Sequence, residues 1–237
     1  MFCVTLLGMI SKRIPEIFAN IERICHKNHR DPQEITLIGV TKYVGAAQMQ
    51  EAIQAGISEI GENRVQDAKQ KFSTLEANGL IFKRHMIGHL QTNKVKGAVR
   101  LFDMIQSVDS VKVAKEIEKQ AAAIDKVMDV LIQVNSSKEP QKSGIEPEQA
   151  LELVKEISGL EHLRLQGLMT IGLFTDEKEK IEGCFHLTKD LFDRIKQEFL
   201  GSERVEMKYL SMGMTQDYEI ALECGANMVR IGSAIFK

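Results

Sequence analysis

What the chain lacks narrows the reading first. Its four cysteines, Cys3, Cys25, Cys184 and Cys224, stand far apart with no C-x-x-C pair. That removes the ligand spacing of a zinc site and the framework of a disulfide-stapled domain. Free thiols fit a reducing compartment, so a cytoplasmic protein is expected. No run reaches the roughly 18 consecutive apolar residues of a membrane helix. The apolar opening stretch, Phe2 to Ile10, has no basic region before it and no A-x-A-like cleavage site after it, which argues against a signal peptide. Charge excess is missing as well: 31 Lys+Arg against 33 Asp+Glu leave a formal net charge of -2. Bulk charge therefore speaks against a strongly basic nucleic-acid binder. The local run Lys69, Lys71, Lys83, Arg84, Lys94 and Lys96 is interspersed with acids and is expected to form a solvated face. Neither nucleic acid nor a membrane is an expected partner.

What is present is ordinary in bulk and regular in order. The 237 residues are 43% hydrophobic and 27% charged, as in globular proteins generally. Length allows one large domain or two small ones, and no Pro/Gly/Ser-rich linker marks a division. Apolar residues from Met9 to Cys25 recur at helical spacing, with Pro15 expected near the first turn, where a missing N–H is tolerated. Eight short β-rich runs follow: TLIGVT from Thr36, SEIGE from Ser58, RHMIG from Arg84, DMIQSV from Asp103, VMDVLIQV from Val127, RLQGLMTI from Arg164, EMKYLSM from Glu206 and NMVRIG from Asn227. Between them lie amphipathic segments such as Ala46 to Ala55, Gln66 to Leu75, Ser110 to Ala123, Pro147 to Ile157 and Lys178 to Phe199, each long enough for a crossover helix.

Strict alternation of strand and helix predicts an α/β fold with a parallel sheet. Eight units predict a single closed (β/α)8 TIM barrel, with an open doubly wound sheet as the alternative because periodicity cannot show closure. We expect an N-terminal extension over residues 1–8 and one barrel domain over 9–237. Few residues follow the eighth run, so no full eighth outer helix is expected, and the extra N-terminal helix is expected to fill its place in the ring.

Chemistry in such barrels sits at the C-terminal ends of the strands. Polar and small residues gather there: Thr41 and Lys42, Gly61 to Asn63, Met169 and Thr170, Ser211 to Gly213, and Arg230 to Ser233, with His85 inside the third strand. Lys42 follows five apolar or small residues, a place where partial desolvation would free an amine for Schiff-base chemistry. A strand-end lysine otherwise simply snorkels to water. The loops after strands seven and eight often hold phosphate in barrels. There Gly232 would allow close backbone approach, and the Ser211 and Ser233 hydroxyls could donate to phosphate oxygens, although ordinary turns use the same residues. A lysine and a phosphate site across one barrel mouth fit a phosphorylated aldehyde, of which pyridoxal 5'-phosphate (PLP) is the obvious example.

The motifs VTKYV (Val40 to Val44), GENRVQ (Gly61 to Gln66), RHMIGHLQTNK (Arg84 to Lys94), QSVDS (Gln106 to Ser110), GLMTI (Gly167 to Ile171), LSMGMTQDYEIAL (Leu210 to Leu222) and VRIGSAIF (Val229 to Phe236) together resemble the pyridoxal-phosphate homeostasis proteins, the YggS/PROSC family. The match runs over nearly the whole chain after about Met9. That family is similar to the barrel domain of alanine racemase and lacks the racemase's second, β-rich domain. The resemblance implies that Lys42 carries PLP as a Schiff base and that Ser211, Gly232 and Ser233 serve the phosphate. It further implies backbone contacts from Met212 and Ile231, Arg230 facing the pyridine nitrogen, and Asn63, His85 and Met169 around the ring. A histidine in an apolar strand is also commonly a satisfied core residue. Two positions depart from the pattern: Arg64 stands where an aromatic is frequent, and Gly172 where proline is frequent. Both bear on the pocket's rim.

An arginine is always a donor, so a pyridine nitrogen facing it stays an unprotonated acceptor and a poor electron sink. Racemisation needs an acid/base on each face of the bound amino acid, and Lys42 supplies one. In the racemases a tyrosine of the second domain supplies the other; here Tyr43, Tyr209 and Tyr218 are the only tyrosines, and Tyr43 adjoins the lysine itself. The leading expectation is a PLP-binding protein of intracellular vitamin B6 homeostasis that carries its cofactor without catalytic turnover, with PLP-dependent apoenzymes as acceptors and a monomeric state. A weak PLP-dependent amino-acid racemase is the alternative, and a cofactor-free Schiff-base aldolase a third.

Overall fold

The computed structural model describes residues 3–139 and 142–237. Its strands are β1 (Thr36–Val40), β2 (Glu59–Glu62), β3 (Lys83–Met86), β4 (Met104–Val108), β5 (Met128–Gln133), β6 (Leu163–Met169), β7 (Val205–Ser211) and β8 (Met228–Ile231). All pair in parallel and in chain order, and β8 returns to β1 from Thr36↔Met228 to Gly39↔Ile231, closing the sheet into a barrel. Each strand begins within one residue of the run expected to form it.

The helices are α1 (Cys3–Lys27), α2 (Ala46–Gln54), α3 (Val65–Ala77), α4 (Val95–Leu101), α5 (Val111–Ala122), α6 (Ala150–Ser158), α7 (Lys178–Glu198), α8 (Tyr218–Glu223) and α9 (Ser233–Phe236). Helix α1 packs on α2, α8 and α9, so it occupies the gap that the four-residue α9 leaves in the outer ring. Residues 1 and 2 of the expected extension lie outside the described residues; from Cys3 onward the chain already belongs to α1. Pro15 is consequently inside the helix and not near its first turn. The carbonyl it cannot serve belongs to Ser11, an exposed residue open to water. Helices α4 and α8, seven and six residues long, escaped the sequence reading because so few residues show no helical repeat.

Alternation along the strands sorts the core into two shells. Outward side chains such as Leu37, Ile105, Val130, Leu168 and Val229 meet the helices' apolar stripes. Phe72 and Phe102 are fully buried there with ring centroids 5.7 Å apart, each burial worth roughly 2–3 kcal/mol. Inward, Ile38, Met104, Leu131, Met169 and Met228 form a small cluster of their own with Tyr209 packed on it. Pairing jumps from Leu165↔Val205 to Gly167↔Tyr209, so β7 bulges against β6. Gly167 has φ +146, and a Cβ there would lie 1.8 Å from the Tyr209 carbonyl oxygen, so only glycine fits. The bulge lets the two strands rejoin in register at Met169↔Ser211, the rim of the mouth.

Candidate functional site

Ile38 faces into the barrel, and continuing the alternation through Val40 places Lys42 on the same side, just past the end of β1. Lys42 sits in a turn and is exposed, its Nζ 5.2 Å from the centroid of the Tyr43 ring. The partial burial expected of this lysine is therefore not found, because the turn lifts it above the rim. What is buried is its support. Thr41 Oγ1 donates to Glu62 Oε1 at 2.6 Å, and Lys71 Nζ donates to both the Thr41 carbonyl and Glu62 Oε1 at 2.8 Å. Glu62 is 1% exposed, so its charge needs this pairing. Lys71 thus departs from the expected solvated face. So do Lys83, whose Nζ lies 5.4 Å from the Tyr209 ring centroid, and Arg84, which pairs with Asp103 at 3.1 Å and Glu76 at 2.6 Å.

On the neighbouring strand β8, Arg230 is buried at 4% exposure. Its Nη1 donates to Ser211 Oγ and its Nη2 to the Thr170 carbonyl, both at 2.6 Å. Burial pulls its pKa down to about 10, partly offset by the charge of Asp217, so it remains a cation at neutral pH. Among the described residues no carboxylate lies within ion-pair distance of it. Asp217 instead caps the turn at Met214, accepting from its N–H at 2.5 Å, and burial raises its pKa against that bond and the pull of Arg230.

Arginine only donates, and this fixes the direction of a chain that crosses the barrel. Ser211 accepts from Arg230, so its own proton goes on to Gln106 Oε1 at 2.7 Å. The Gln106 amide nitrogen then faces His85 Nδ1 at 3.1 Å, which assigns the His85 proton to Nε2. Nε2 lies 2.7 Å from Glu59 Oε2, close but poorly aligned with the N–H. Burial lowers the pKa of His85 despite Glu59. Burial also pushes Glu59 up, yet His85, Lys83 and Lys208 hold it below the usual carboxylate range. His85 is thus a neutral interior residue linked to Arg230 through two intermediaries, and not a group lining the mouth.

The remaining expected residues divide the same way. Ser233 is exposed at the start of α9, and its hydroxyl makes no hydrogen bond among the described residues. A Cβ on Gly232 would come within 3.3 Å of Val40, so the β8 loop passes close beside the strand bearing Lys42. Gly213, at φ +94, packs where a Cβ would sit 2.6 Å from that of Ala221, which draws the β7 loop tight over α8. Ser211 Oγ is occupied by Gln106 and Arg230, and the Met212 N–H is given to the Met228 carbonyl at 3.1 Å. Ile231 pairs with Gly39, and its side chain packs outside the barrel. Met169 lies in the inner cluster below the mouth, and half-buried Asn63 stands at the end of β2. Gln106, Thr170, Glu62 and Lys71 were given no role from sequence. The usable signal was polarity at an inward position, as with Gln106 two residues after Met104 in a fully buried strand.

Residues 14–237 match the family described as alanine racemase, N-terminal domain. A pyridoxal phosphate homeostasis protein from Helicobacter pylori is 42% identical over 86% of this chain and 87% of its own. The chain belongs to this family. A pyridoxal phosphate homeostasis protein from Haemophilus influenzae is 39% identical over 91% of this chain and 90% of its own. The solved structure of PipY from Synechococcus elongatus, with PLP bound, superimposes with a TM-score of 0.83 at 28% identity, covering 96% of this chain and 100% of PipY. No helix among the described residues is long and apolar enough to cross a membrane.

Proposed function

We propose that this protein holds pyridoxal 5'-phosphate on Lys42 and serves intracellular vitamin B6 homeostasis as a carrier without catalytic turnover. One observation carries the reading: a buried cation, Arg230, without a carboxylate at ion-pair distance, sits one strand from an exposed lysine at the same rim. A buried, unpaired cation fits an anionic ligand bearing a neutral acceptor. Lys42 Nζ is the attachment point for the aldehyde, Arg230 the donor toward the ring nitrogen, and Ser233 with the Gly232 backbone the phosphate contact. Asn63 and Met169 border the ring. Ser211 and His85 act behind Arg230, holding its guanidinium in one orientation, and Met212 and Ile231 shape the loops. When bound, the cofactor supplies an aldehyde for condensation with primary amines and, facing a donor-only arginine, a weak electron sink. The barrel over residues 9–237 is the carrying unit, acting as a monomer in the cytoplasm with PLP-dependent apoenzymes as acceptors.

The positions of the tyrosines support carriage over racemisation. Tyr218 is buried, its hydroxyl 2.5 Å from Asn20 Nδ2, and Tyr209 lies in the barrel between Lys83 and Lys208. Tyr43 adjoins Lys42. None is placed to deliver a proton to the face opposite the lysine. The deciding experiment is an absorbance spectrum of the purified protein and of Lys42→Ala. A visible band of lysine-bound pyridoxal in the first and its loss in the second are expected; a native protein without the band, or a band surviving the substitution, would overturn the assignment. Deuterium exchange at Cα of added amino acids should be absent, and steady exchange would favour the racemase reading instead.

A further inference from the structure

The opposite flank of β1 holds a cavity whose polar lining the protein leaves unused. It opens between the β2–α3 and β3–α4 connections, has a volume of about 370 Å³, and is lined by Asn63, Arg64, Gln66, His89, Gln91 and Lys94 over apolar Met86 and Leu90. No Asp or Glu contributes to the lining among the described residues. His89 is engaged with Asp109 at 3.3 Å. The side chains of Asn63, Arg64, Gln66, Gln91 and Lys94 make no hydrogen bond or ion pair among the described residues. A Cβ on Gly88 would lie 2.5 Å from the Asn63 carbonyl oxygen, so the two connections are packed backbone to backbone and the concavity is built in.

We propose that this cavity binds a compact dianion, of the class of phosphate monoesters. Two positive charges lining one concavity with no carboxylate in the lining raise its positive potential, which an anion relieves. A phosphate monoester carries about -1.5 to -2 at pH 7, matching the two cations. The Arg64 fork donates to two of its oxygens, and Lys94 acts as a point charge on the third. The amides of Gln66 and Gln91 add neutral donors, and Met86 and Leu90 offer an apolar floor for a small organic body. The volume is in the range of small-molecule sites. The cavity shares Asn63 with the proposed PLP site but lies on the other side of Lys42 from Gly232 and Ser233.

Inorganic phosphate is the probe. It is titrated into the purified protein at constant ionic strength while backbone amide resonances are followed by NMR, with the pyridoxal absorbance band read in the same samples. Saturating shifts centred on Arg64, Gln66, Gln91 and Lys94 are expected. Arg64→Ala and Lys94→Ala should each weaken binding about tenfold or more, leaving the absorbance band unchanged. Arg64→Gln, at an exposed position, repeats the test with a polar side chain that lacks the charge. Shifts confined to Gly232 and Ser233, non-saturating shifts, or affinity indifferent to both substitutions would overturn the site. Tighter saturation of the same amides by malonate than by phosphate would overturn the phosphate class. The absorbance band reports separately on attachment to Lys42, so either proposal can fail alone.

Discussion

The two flanks of β1 are built on opposite plans. Toward β8 and β7, a continuous chain of hydrogen bonds crosses the barrel: Arg230 to Ser211 and Thr170, Ser211 to Gln106, Gln106 to His85. Toward β2 and β3, Arg64, Lys94, Gln66 and Gln91 point into a cavity with no protein partner among the described residues. The first flank is a rigid buried network in which each bond fixes the next. The second is a set of side chains left free to meet a ligand. Lys42 stands between them, exposed itself but on backbone that Glu62 and Lys71 hold from behind. The difference teaches where stability is to be sought: removing a member of the buried network on the first flank should destabilise the fold as well as disturb the proposed PLP site, and removing a side chain from the cavity on the second should only unbind.

The largest effect is expected at Arg230. Replacing it by Met leaves the Ser211 hydroxyl and the Thr170 carbonyl short of a donor in a closed interior, a loss of about 3 kcal/mol in urea unfolding. A loss below about 1 kcal/mol would dissolve the contrast, since the network would then be no more binding than the rim.

A smaller effect concerns pH. Burial keeps the folded pKa of His85 below its ordinary value, so the unfolded chain takes up a proton that the native state refuses. Stability should be full above about pH 6.5 and fall on acidification from there, by up to roughly 1.4 kcal/mol per pH unit for one proton. Glu59, Lys83 and Asp103 also act on this group, but Glu59, with its own pKa depressed, adds its loss only below about pH 4.5. Chemical unfolding at pH 6.5 and 5.5, repeated on His85→Gln, checks this. An unchanged slope in the variant would locate the proton elsewhere.

The smallest effect belongs to the free flank and to the lysine. Lys42→Ala and Arg64→Ala remove exposed side chains and should shift unfolding by no more than about 0.5 kcal/mol. A shift of about 2 kcal/mol in either would mean that the rim is structural after all.

How much of this was legible follows the same division. The barrel was readable because each strand announces itself locally, TLIGV or MVRI between helical stretches. Lys42, Arg230 and Ser233 were readable because they end strands. The network was not, because its bonds join strands far apart in sequence: Ser211 and Gln106 are separated by 105 positions. Nothing near Gln106 in the chain says that Ser211 is its partner. His85 illustrates the limit: its place in a motif suggested the ring's surroundings, while its full burial and its contact with Gln106 have no signal nearby in the chain. Lys71 shows the converse, a charge in a basic run that proves to be half of a buried pair with Glu62.

The central claim is that Lys42, alone among the lysines, holds the cofactor. Borohydride reduction of the purified protein followed by peptide mass spectrometry tests it most directly. The account predicts a pyridoxyl group on the peptide carrying Lys42 and none on other lysines, Lys94 included. A label located chiefly elsewhere, or no label on protein whose fold is intact, would contradict it.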